Sequence, residues 1–222
     1  MDWEQIDKVL KEQIVNESDL RNGYEQIKKV LADNNLPTVD IDVDGLKKEF
    51  QEWLAEVIEK EPIPKNIKSI YFGLTTMSFP EIDNGKEKIT AYIVGSKLTP
   101  SQNEDWACDT EYIPNRRYVL LADFEKIDNT IKSNDKLSGD YEVLTFNGLL
   151  NLLVLNSLND FKERFLTYQY RKLGIFKTDR KRDDMHFGAG FDSGKVYLLR
   201  TLKNKKKRHT TVCKKALKHI LH

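Results

Sequence analysis

The chain has 222 residues, of which 39% are hydrophobic and 32% are charged. A chain of this length can bury a sizeable core, and its hydrophobic content excludes a disordered protein. The first residues lack the apolar region of a secretory signal, and no apolar run is long enough to cross a bilayer. We therefore expect a folded cytoplasmic protein with no membrane contact. Cys108 and Cys213 form no metal-ligand or redox pattern, so we expect free thiols.

The charge is divided unequally along the chain. Residues 1–150 hold 18 Lys and Arg against 29 Asp and Glu, whereas residues 151–222 hold 18 against 6. The two parts therefore carry net charges of −11 and +12, although the whole chain carries only +1. This asymmetry indicates either that the two parts face each other or that each addresses a different partner.

Three helices are predicted in an N-terminal part that spans residues 1–61. Apolar residues recur at helical spacing from Trp3 to Ile14, from Tyr24 to Leu31 and from Leu46 to Ile58. Ser18 precedes the second of these segments and is the residue type that caps a helix N-terminus. The sequence therefore predicts three amphipathic helices, with Ser18 as the cap of the second.

The pattern then changes to that of β-strands, rich in β-branched and aromatic residues between turn signals. The predicted strands are Ile67–Leu74, Lys88–Ser96, Arg117–Phe124, Met185–Phe191 and Lys195–Leu202. We expect the first two to be antiparallel, and a short helix to follow the third. The last two flank a turn whose residues, Asp192, Ser193 and Gly194, favour a hairpin.

A buried central helix is predicted over Thr145–Phe165, the most apolar segment of the chain. Its apolar residues cover more than half of the helix circumference, which is typical of a helix covered on two sides. Helices first, strands next and a helix between strand groups predict an α+β fold with a mostly antiparallel sheet of about five strands. We expect one such domain over residues 1–202, followed by a basic tail or short helix over residues 203–222.

An acidic stripe is predicted on the third helix, where four glutamates at positions i, i+3, i+7 and i+10 share one face. These residues are Glu49, Glu52, Glu56 and Glu59. Such a stripe is ordinarily a solvated helix face. It also offers a negative surface that fits a basic partner protein, and the sequence does not separate the two interpretations.

The C-terminal tail is strongly basic and includes Lys205, Lys206, Lys207 and Arg208. One interpretation is solvated charge, or a terminal helix that docks on the acidic N-terminal helices. The alternative is nucleic-acid binding, because clustered lysines neutralise backbone phosphates. Composition alone leaves both interpretations open.

The segment from Trp106 to Arg117 combines Trp, Tyr and Arg on a predicted loop. Trp106 and Tyr112 are the residue types that dominate binding hot spots, although aromatic residues also anchor irregular segments to a sheet. Cys108 lies in the same segment, but nucleophilic catalysis needs a positioned base, and the sequence shows none.

The segment Asp183–Gly194 is the richest in potential chemistry. Its histidine and carboxylates are suitable for metal binding or acid/base catalysis, with His186 and Asp192 as a hydrolase pair. Convergence is not assured, because Asp192 lies in the predicted turn rather than on the strand. We favour a structural role, in which Gly188 and Gly190 permit close packing or a bulge. No catalytic residue, metal or cofactor is predicted.

Three groups of residues carry a family resemblance. They are Ile70–Leu74, then Trp106–Cys108 with Tyr112–Pro114 and Arg117-Tyr118, and finally Gly190–Gly194. Together they resemble small bacterial proteins associated with polymorphic toxin systems, where such proteins act as immunity proteins. The resemblance implies a non-enzymatic protein that binds and blocks a partner toxin, and it supplies no catalytic residue. The alternative function is nucleic-acid association through the basic tail.

Overall fold

The structure is a computed structural model that describes residues 1–78, 85–134, 137, 139–172 and 176–204, with the backbone alone for residues 170–172 and 176–177. The α-helices among them are α1 Trp3–Val15, α2 Leu20–Asp33, α3 Val43–Lys60, α4 Ala122–Lys132, α5 Gly139–Glu142, α6 Gly148–Leu158 and α7 Lys162–Leu166. A π-helical turn over Val143–Asn147 joins α5 to α6.

A mixed five-stranded sheet and a two-stranded ribbon make up the β-structure of the described residues. The strands are β1 Ser69–Ser78, β2 Glu87–Ser96, β3 Tyr118–Val119, β4 Thr167–Lys172, β5 Phe176–Lys181, β6 Asp184–Phe191 and β7 Tyr197–Lys203. The sheet order is β3-β2-β1-β6-β7, and β4 pairs with β5. Only the β1–β6 pair is parallel within the sheet. The α+β fold with a mostly antiparallel sheet is confirmed.

The three predicted N-terminal helices are confirmed, and an aspartate caps the N-terminus of each. The side chains of Asp2, Asp19 and Asp42 each accept a hydrogen bond from a backbone N–H three residues further on. Such caps satisfy N–H groups that have no partner inside the helix. The predicted cap of α2 at Ser18 is wrong by one residue, because Asp19 has the extended backbone and makes the bond.

The central helix is buried as predicted, but it is not continuous. Gly148–Leu155 is buried without exception in α6. The predicted segment begins inside the π-helical turn, and it is interrupted between Leu158 and Lys162. The interruption contains the exposed residues Asn159 and Asp160, whose short polar side chains compete for backbone hydrogen bonds and favour turns over helix.

The predicted strand Arg117–Phe124 is mostly wrong. Only Tyr118–Val119 is β-structure, and α4 begins at Ala122. The carboxylate of Glu49 on α3 accepts a hydrogen bond from the backbone N–H of Ala122 at 3.1 Å. This cap comes from a residue 73 positions earlier in the chain, so local β-propensity gives way to a tertiary contact.

The two faces of the sheet have different coverings. Side chains such as Ile70, Phe72 and Leu74 of β1 join the main hydrophobic core with the helices. On the opposite face, Tyr71 belongs to a second, smaller cluster with Val94, Trp106, Ala107 and their neighbours. No helix packs over this second cluster among the described contacts, and the chain that covers it is the segment between β2 and β3. We call this second surface the open face.

Replacing Asn151 by leucine is expected to raise the free energy of unfolding by about 1–2 kcal/mol. Asn151 is fully buried in α6, and neither its amide nitrogen nor its amide oxygen has a hydrogen-bond partner among the described residues. A buried polar group without a partner loses its hydration, whereas leucine of similar size does not. Chemical denaturation of the two proteins measures the difference, and a less stable variant would contradict the prediction.

Candidate functional site

Two aromatic side chains anchor the segment between β2 and β3, Trp106 on the open face and Tyr112 in the main core. Trp106 is only 3% exposed, and its ring lies over Gly188, where an added Cβ would be 2.8 Å from it. Tyr112 is 6% exposed and donates its hydroxyl hydrogen bond to the carbonyl of Glu61 at 2.6 Å. Both predicted contact residues therefore hold the loop in place rather than presenting their rings to solvent. The predicted close packing at Gly188 is confirmed.

Four aromatic rings form a row across the open face, which we call the aromatic row. Its members are Trp106, Tyr71, Tyr92 and Tyr118, in that order. Neighbouring ring centroids are 6.3, 6.0 and 5.9 Å apart, and each pair meets edge to face. This is the arrangement that aromatic pairs favour, so the row is a rigid floor rather than a set of independent side chains.

Glycines on the strands make room for the row. The ring of Tyr92 lies so close over Gly73 that a Cβ there would overlap it. The hydroxyl of Tyr71 donates to the carbonyl of Gly190 at 2.8 Å. A ring over a glycine covers backbone that no side chain protects, so these small residues and the aromatic row form one unit.

A cleft of about 520 Å³ lies above this floor, and we call it the sheet cleft. Its lining residues are Tyr71, Thr75, Met77, Tyr92, Val94, Glu104, Asp105, Ala107, Cys108, Thr110, Ile113, Arg117, Tyr118, Asp192, Gly194 and Val196. Ile113 is 52% exposed, although most apolar side chains of its size are buried. A cleft with an aromatic floor, an exposed apolar residue and a few polar groups has the composition of a binding site.

The polar groups of the sheet cleft give it negative charge. It contains the carboxylates of Glu104, Asp105 and Asp192 against the single guanidinium of Arg117. Tyr92 donates its hydroxyl hydrogen bond to Asp192. Burial, together with this bond, raises the pKa of Tyr92 well above its usual value. The Tyr92 hydroxyl therefore stays protonated and fixes the position of the Asp192 carboxylate.

Arg117 lies at the β3 end of the row. Its guanidinium carbon is 4.5 Å from the ring centroid of Tyr118, and it donates to the carbonyl of Pro114 at 3.4 Å. Arg117 therefore binds an aromatic ring rather than a carboxylate. The three cleft carboxylates form no ion pair with any described residue, so most of the negative charge of the cleft is not compensated. The sheet cleft therefore combines aromatic surface with unpaired negative charge.

Glu61 ties the loop to the end of α3, and its replacement by glutamine is expected to loosen residues 114–117. Its carboxylate accepts hydrogen bonds from the backbone N–H groups of Asn115 at 2.9 Å and Arg116 at 3.2 Å. The bond from Asn115 is the main reason that the pKa of Glu61 lies below its usual value. Amide hydrogen exchange of Asn115 and Arg116 measures the loosening.

The pH dependence of this contact has a defined sign. Because the pKa of Glu61 is lower in the folded state, its stabilising effect is complete above the unfolded-state value of about 4.5 and is lost as the pH falls below it. The exchange rates of wild type and Glu61→Gln should therefore differ at pH 7 and converge in acid. A difference that persists in acid would assign the effect to another group.

The predicted acidic stripe is partly used inside the fold. Glu49 caps α4, and Glu56 forms an ion pair with Arg116 of the loop. Glu52 is exposed and lies 3.9 Å from Lys48, and Glu59 is exposed. Two of the four glutamates therefore position other elements, while Glu52 and Glu59 remain on the surface.

The hydrolase pair of the sequence prediction is not brought together. His186 lies near the start of β6, where its Nδ1 is 2.9 Å from the hydroxyl of Thr201. Asp192 follows the other end of the strand, and six residue steps of extended chain separate the two by about 20 Å. Within the described part of the chain, no group of three or more His, Cys, Asp or Glu residues is arranged to hold a metal ion.

Part of the sequence prediction falls outside the described residues. It concerns the basic tail, with Lys205, Lys206, Lys207 and Arg208, and also Cys213. Cys108 is a free, exposed thiol on the lining of the sheet cleft. Among the described residues, no helix is long and apolar enough to span a membrane.

Comparison with known proteins adds no homologue. No protein-family model, curated protein or solved structure matches the chain. Function is therefore inferred from the geometry and charge of the sheet cleft.

The hydrogen bond between Tyr92 and Asp192 is not predicted from the sequence, and neither is the role of Tyr71 and Tyr118 in the cleft. The signal that points to them is glycine in two neighbouring strands. Gly73 lies in β1, and Gly188 and Gly190 lie two residues apart in β6. Strand glycines mark places where another group approaches the backbone closely.

Proposed function

We propose that the chain is a non-enzymatic protein-binding protein of immunity type, which neutralises a partner toxin by holding a segment of it in the sheet cleft. The observation that carries this proposal is the cleft itself, with its aromatic floor and the exposed Ile113 at its lining. Rigid aromatic anchors inside a polar rim supply most of the binding energy in protein interfaces. Trp106 and Tyr112 contribute indirectly, by fixing the loop that forms one wall.

Charge supports the same proposal. The cleft carboxylates and the exposed Glu52 and Glu59 of α3 all favour a basic partner, whose encounter they would accelerate and orient. Glu49 and Glu56 act on the fold instead, through their contacts with Ala122 and Arg116. A test of the stripe should therefore reverse Glu52 and Glu59 and leave the other two unchanged.

The test is capture of a partner from the native cell lysate at low and at moderate salt, by wild type and by two variants. Ile113→Lys places a positive charge on the lining of the acidic cleft, whereas Val15→Lys places one on another exposed apolar residue, in α1. We expect both variants to fold, because both side chains are exposed. A specific partner should be captured by wild type and Val15→Lys, and at least about tenfold less by Ile113→Lys, which corresponds to about 1.4 kcal/mol. Equal capture by Ile113→Lys would remove the cleft from the proposal.

Nucleic-acid association is the second candidate function. The observation that favours it is the charge of the β4–β5 ribbon and its flanks, since residues 162–182 hold eight Lys and Arg against two Asp and Glu. Truncation after Asn204 removes the basic tail and keeps all of β7. Nucleic-acid binding that falls steeply with salt would support the candidate, and no binding by the full chain would exclude it. Loss of binding in the truncation would assign it to the tail, whereas retained binding would assign it to the ribbon and its flanks.

A further inference from the structure

The shape of the sheet cleft fits an extended peptide. Its lining includes alternate residues of β1, from Tyr71 through Thr75 to Met77. Successive strand residues rise by about 3.3 Å, so the cleft follows β1 for about 20 Å, the length of about six extended residues. A segment of a partner protein fills this length, whereas a small metabolite would occupy only part of it.

The cleft already holds one guanidinium on its floor. Arg117 stacks on Tyr118 at 4.5 Å at the outer end of the aromatic row. Tyr92, the next ring inward, is half-exposed, and its hydroxyl fixes the carboxylate of Asp192 beside it. A second guanidinium that stacks against Tyr92 would therefore reach a carboxylate that is already oriented.

The balance of charge favours a cation at this position. Among the described residues, the charged groups that line the cleft are Glu104, Asp105, Asp192 and Arg117. Lys195 is close in sequence but turns away, since its ammonium pairs with Asp7 of α1 at 2.6 Å. An incoming cation thus meets three carboxylates and one guanidinium of the described lining. Its attraction to the aromatic faces offsets part of the hydration free energy that it loses on entering the cleft.

We propose that the sheet cleft recognises an arginine side chain in an extended segment of the partner, with the guanidinium stacked on Tyr92 and paired with Asp192. This inference rests on the proposed protein-binding function and specifies the chemistry of its partner. Arginine is favoured over lysine because a planar guanidinium stacks on an aromatic ring and bonds a carboxylate with two parallel N–H groups. An ammonium is a more strongly hydrated point charge.

The test uses three capped hexapeptides that differ only at one central residue, which is arginine, lysine or citrulline. Citrulline has the shape of arginine without its charge. Binding to the full chain is followed by NMR of the aromatic ring protons. We expect the arginine peptide to bind about tenfold more tightly than the citrulline peptide, with shifts at Tyr92 and Tyr118, and the lysine peptide to be intermediate.

Two matched variants locate the charge effect. Asp192→Asn keeps an acceptor for the Tyr92 hydroxyl but removes the negative charge, whereas Glu25→Gln removes one from an exposed residue of α2 outside the cleft. Asp192→Asn should bring arginine affinity to within about threefold of citrulline affinity, and Glu25→Gln should leave the preference intact. Equal affinity of the wild type for arginine and citrulline, no binding of any peptide, or an equal effect of both variants would overturn the inference.

The outcome is separable from that of the proposed function. If Ile113→Lys abolishes partner capture while the wild type does not prefer arginine, the partner binds the cleft by other chemistry and only the inference fails. If the wild type prefers arginine but Ile113→Lys captures the partner normally, the cleft recognises arginine and the assigned role of the cleft in partner binding fails.

Discussion

Replacement of Arg182 by methionine is expected to lower the free energy of unfolding by about 3 kcal/mol. Arg182 is 7% exposed and follows β5. Its guanidinium donates to the backbone carbonyls of Ile63 at 3.0 Å and Ile67 at 2.8 Å, and more weakly to that of Pro64 at 3.3 Å. One side chain therefore joins the α3–β1 connection to the strand pair that precedes β6.

Two effects oppose each other at this position. Burial without a carboxylate partner lowers the pKa of Arg182 to about 10, the direction expected where a charge is costly to bury. Methionine removes that cost, but it leaves the carbonyls of Ile63 and Ile67 without this donor, whereas the carbonyl of Pro64 still accepts from the N–H of Ile67. Because each orphaned buried acceptor costs about 1–3 kcal/mol, the loss of the hydrogen bonds should outweigh the relief of the charge.

Chemical denaturation measures the effect, and two variants control it. Arg21→Met removes an arginine whose ion pair with Asp44 is highly exposed, and it should change the free energy of unfolding by less than about 1 kcal/mol. Arg182→Lys keeps a positive charge but lacks the forked donor, so it should be nearly as destabilised as Arg182→Met. Wild-type stability of Arg182→Met would show that the carbonyls find other donors.

The elements that the sequence predicts correctly are those defined by local periodicity. The apolar stripe of α3, the β-branched and aromatic run of β2 and the hairpin of β6 and β7 all depend on residues close together in the chain. The burial of α6 follows from its apolar composition. Its end at Leu158 is less predictable, since it depends on how strongly Asn159 and Asp160 favour a turn.

The sheet cleft is less predictable because distant segments assemble it. Tyr71, Tyr92, Tyr118 and Asp192 come from three strands and one turn, and the sequence alone does not give the strand order that places β1 between β2 and β6. The acidic stripe shows the converse case, in which the helical pattern is correct but does not reveal what the glutamates contact. Glu49 and Glu56 bind Ala122 and Arg116, which lie at least 60 positions away in the chain.

Replacement of Gly190 by alanine is expected to cost about 2–3 kcal/mol of stability and to weaken binding in the sheet cleft. An added Cβ would overlap the backbone carbonyl oxygen of Lys195, which is held in the turn between β6 and β7. Backbone φ is not the cause, because Gly190 does not have a positive φ. The cost arises because a backbone carbonyl has less freedom to move away than a side chain.

Two other glycines provide a comparison for the stability cost of an added Cβ. At Gly188 the added Cβ would meet the ring of Trp106 at 2.8 Å, and a side chain can shift, so Gly188→Ala should cost about 1 kcal/mol. At Gly139 nothing lies within 4 Å, so Gly139→Ala should be neutral or stabilising. Thermal or chemical denaturation should therefore rank stability as Gly139→Ala, Gly188→Ala and Gly190→Ala, from highest to lowest.

The same series tests whether floor and cleft act as one unit. The carbonyl of Gly190 accepts the hydroxyl of Tyr71, so a shift of this strand displaces the ring between Trp106 and Tyr92. Affinity for the arginine peptide should fall in Gly190→Ala at temperatures where that variant is still folded, and it should remain unchanged in Gly139→Ala. If affinity were preserved in a folded Gly190→Ala, binding in the sheet cleft would tolerate displacement of Tyr71 in the aromatic row. Recognition would then depend on Tyr92, Tyr118 and the carboxylates alone.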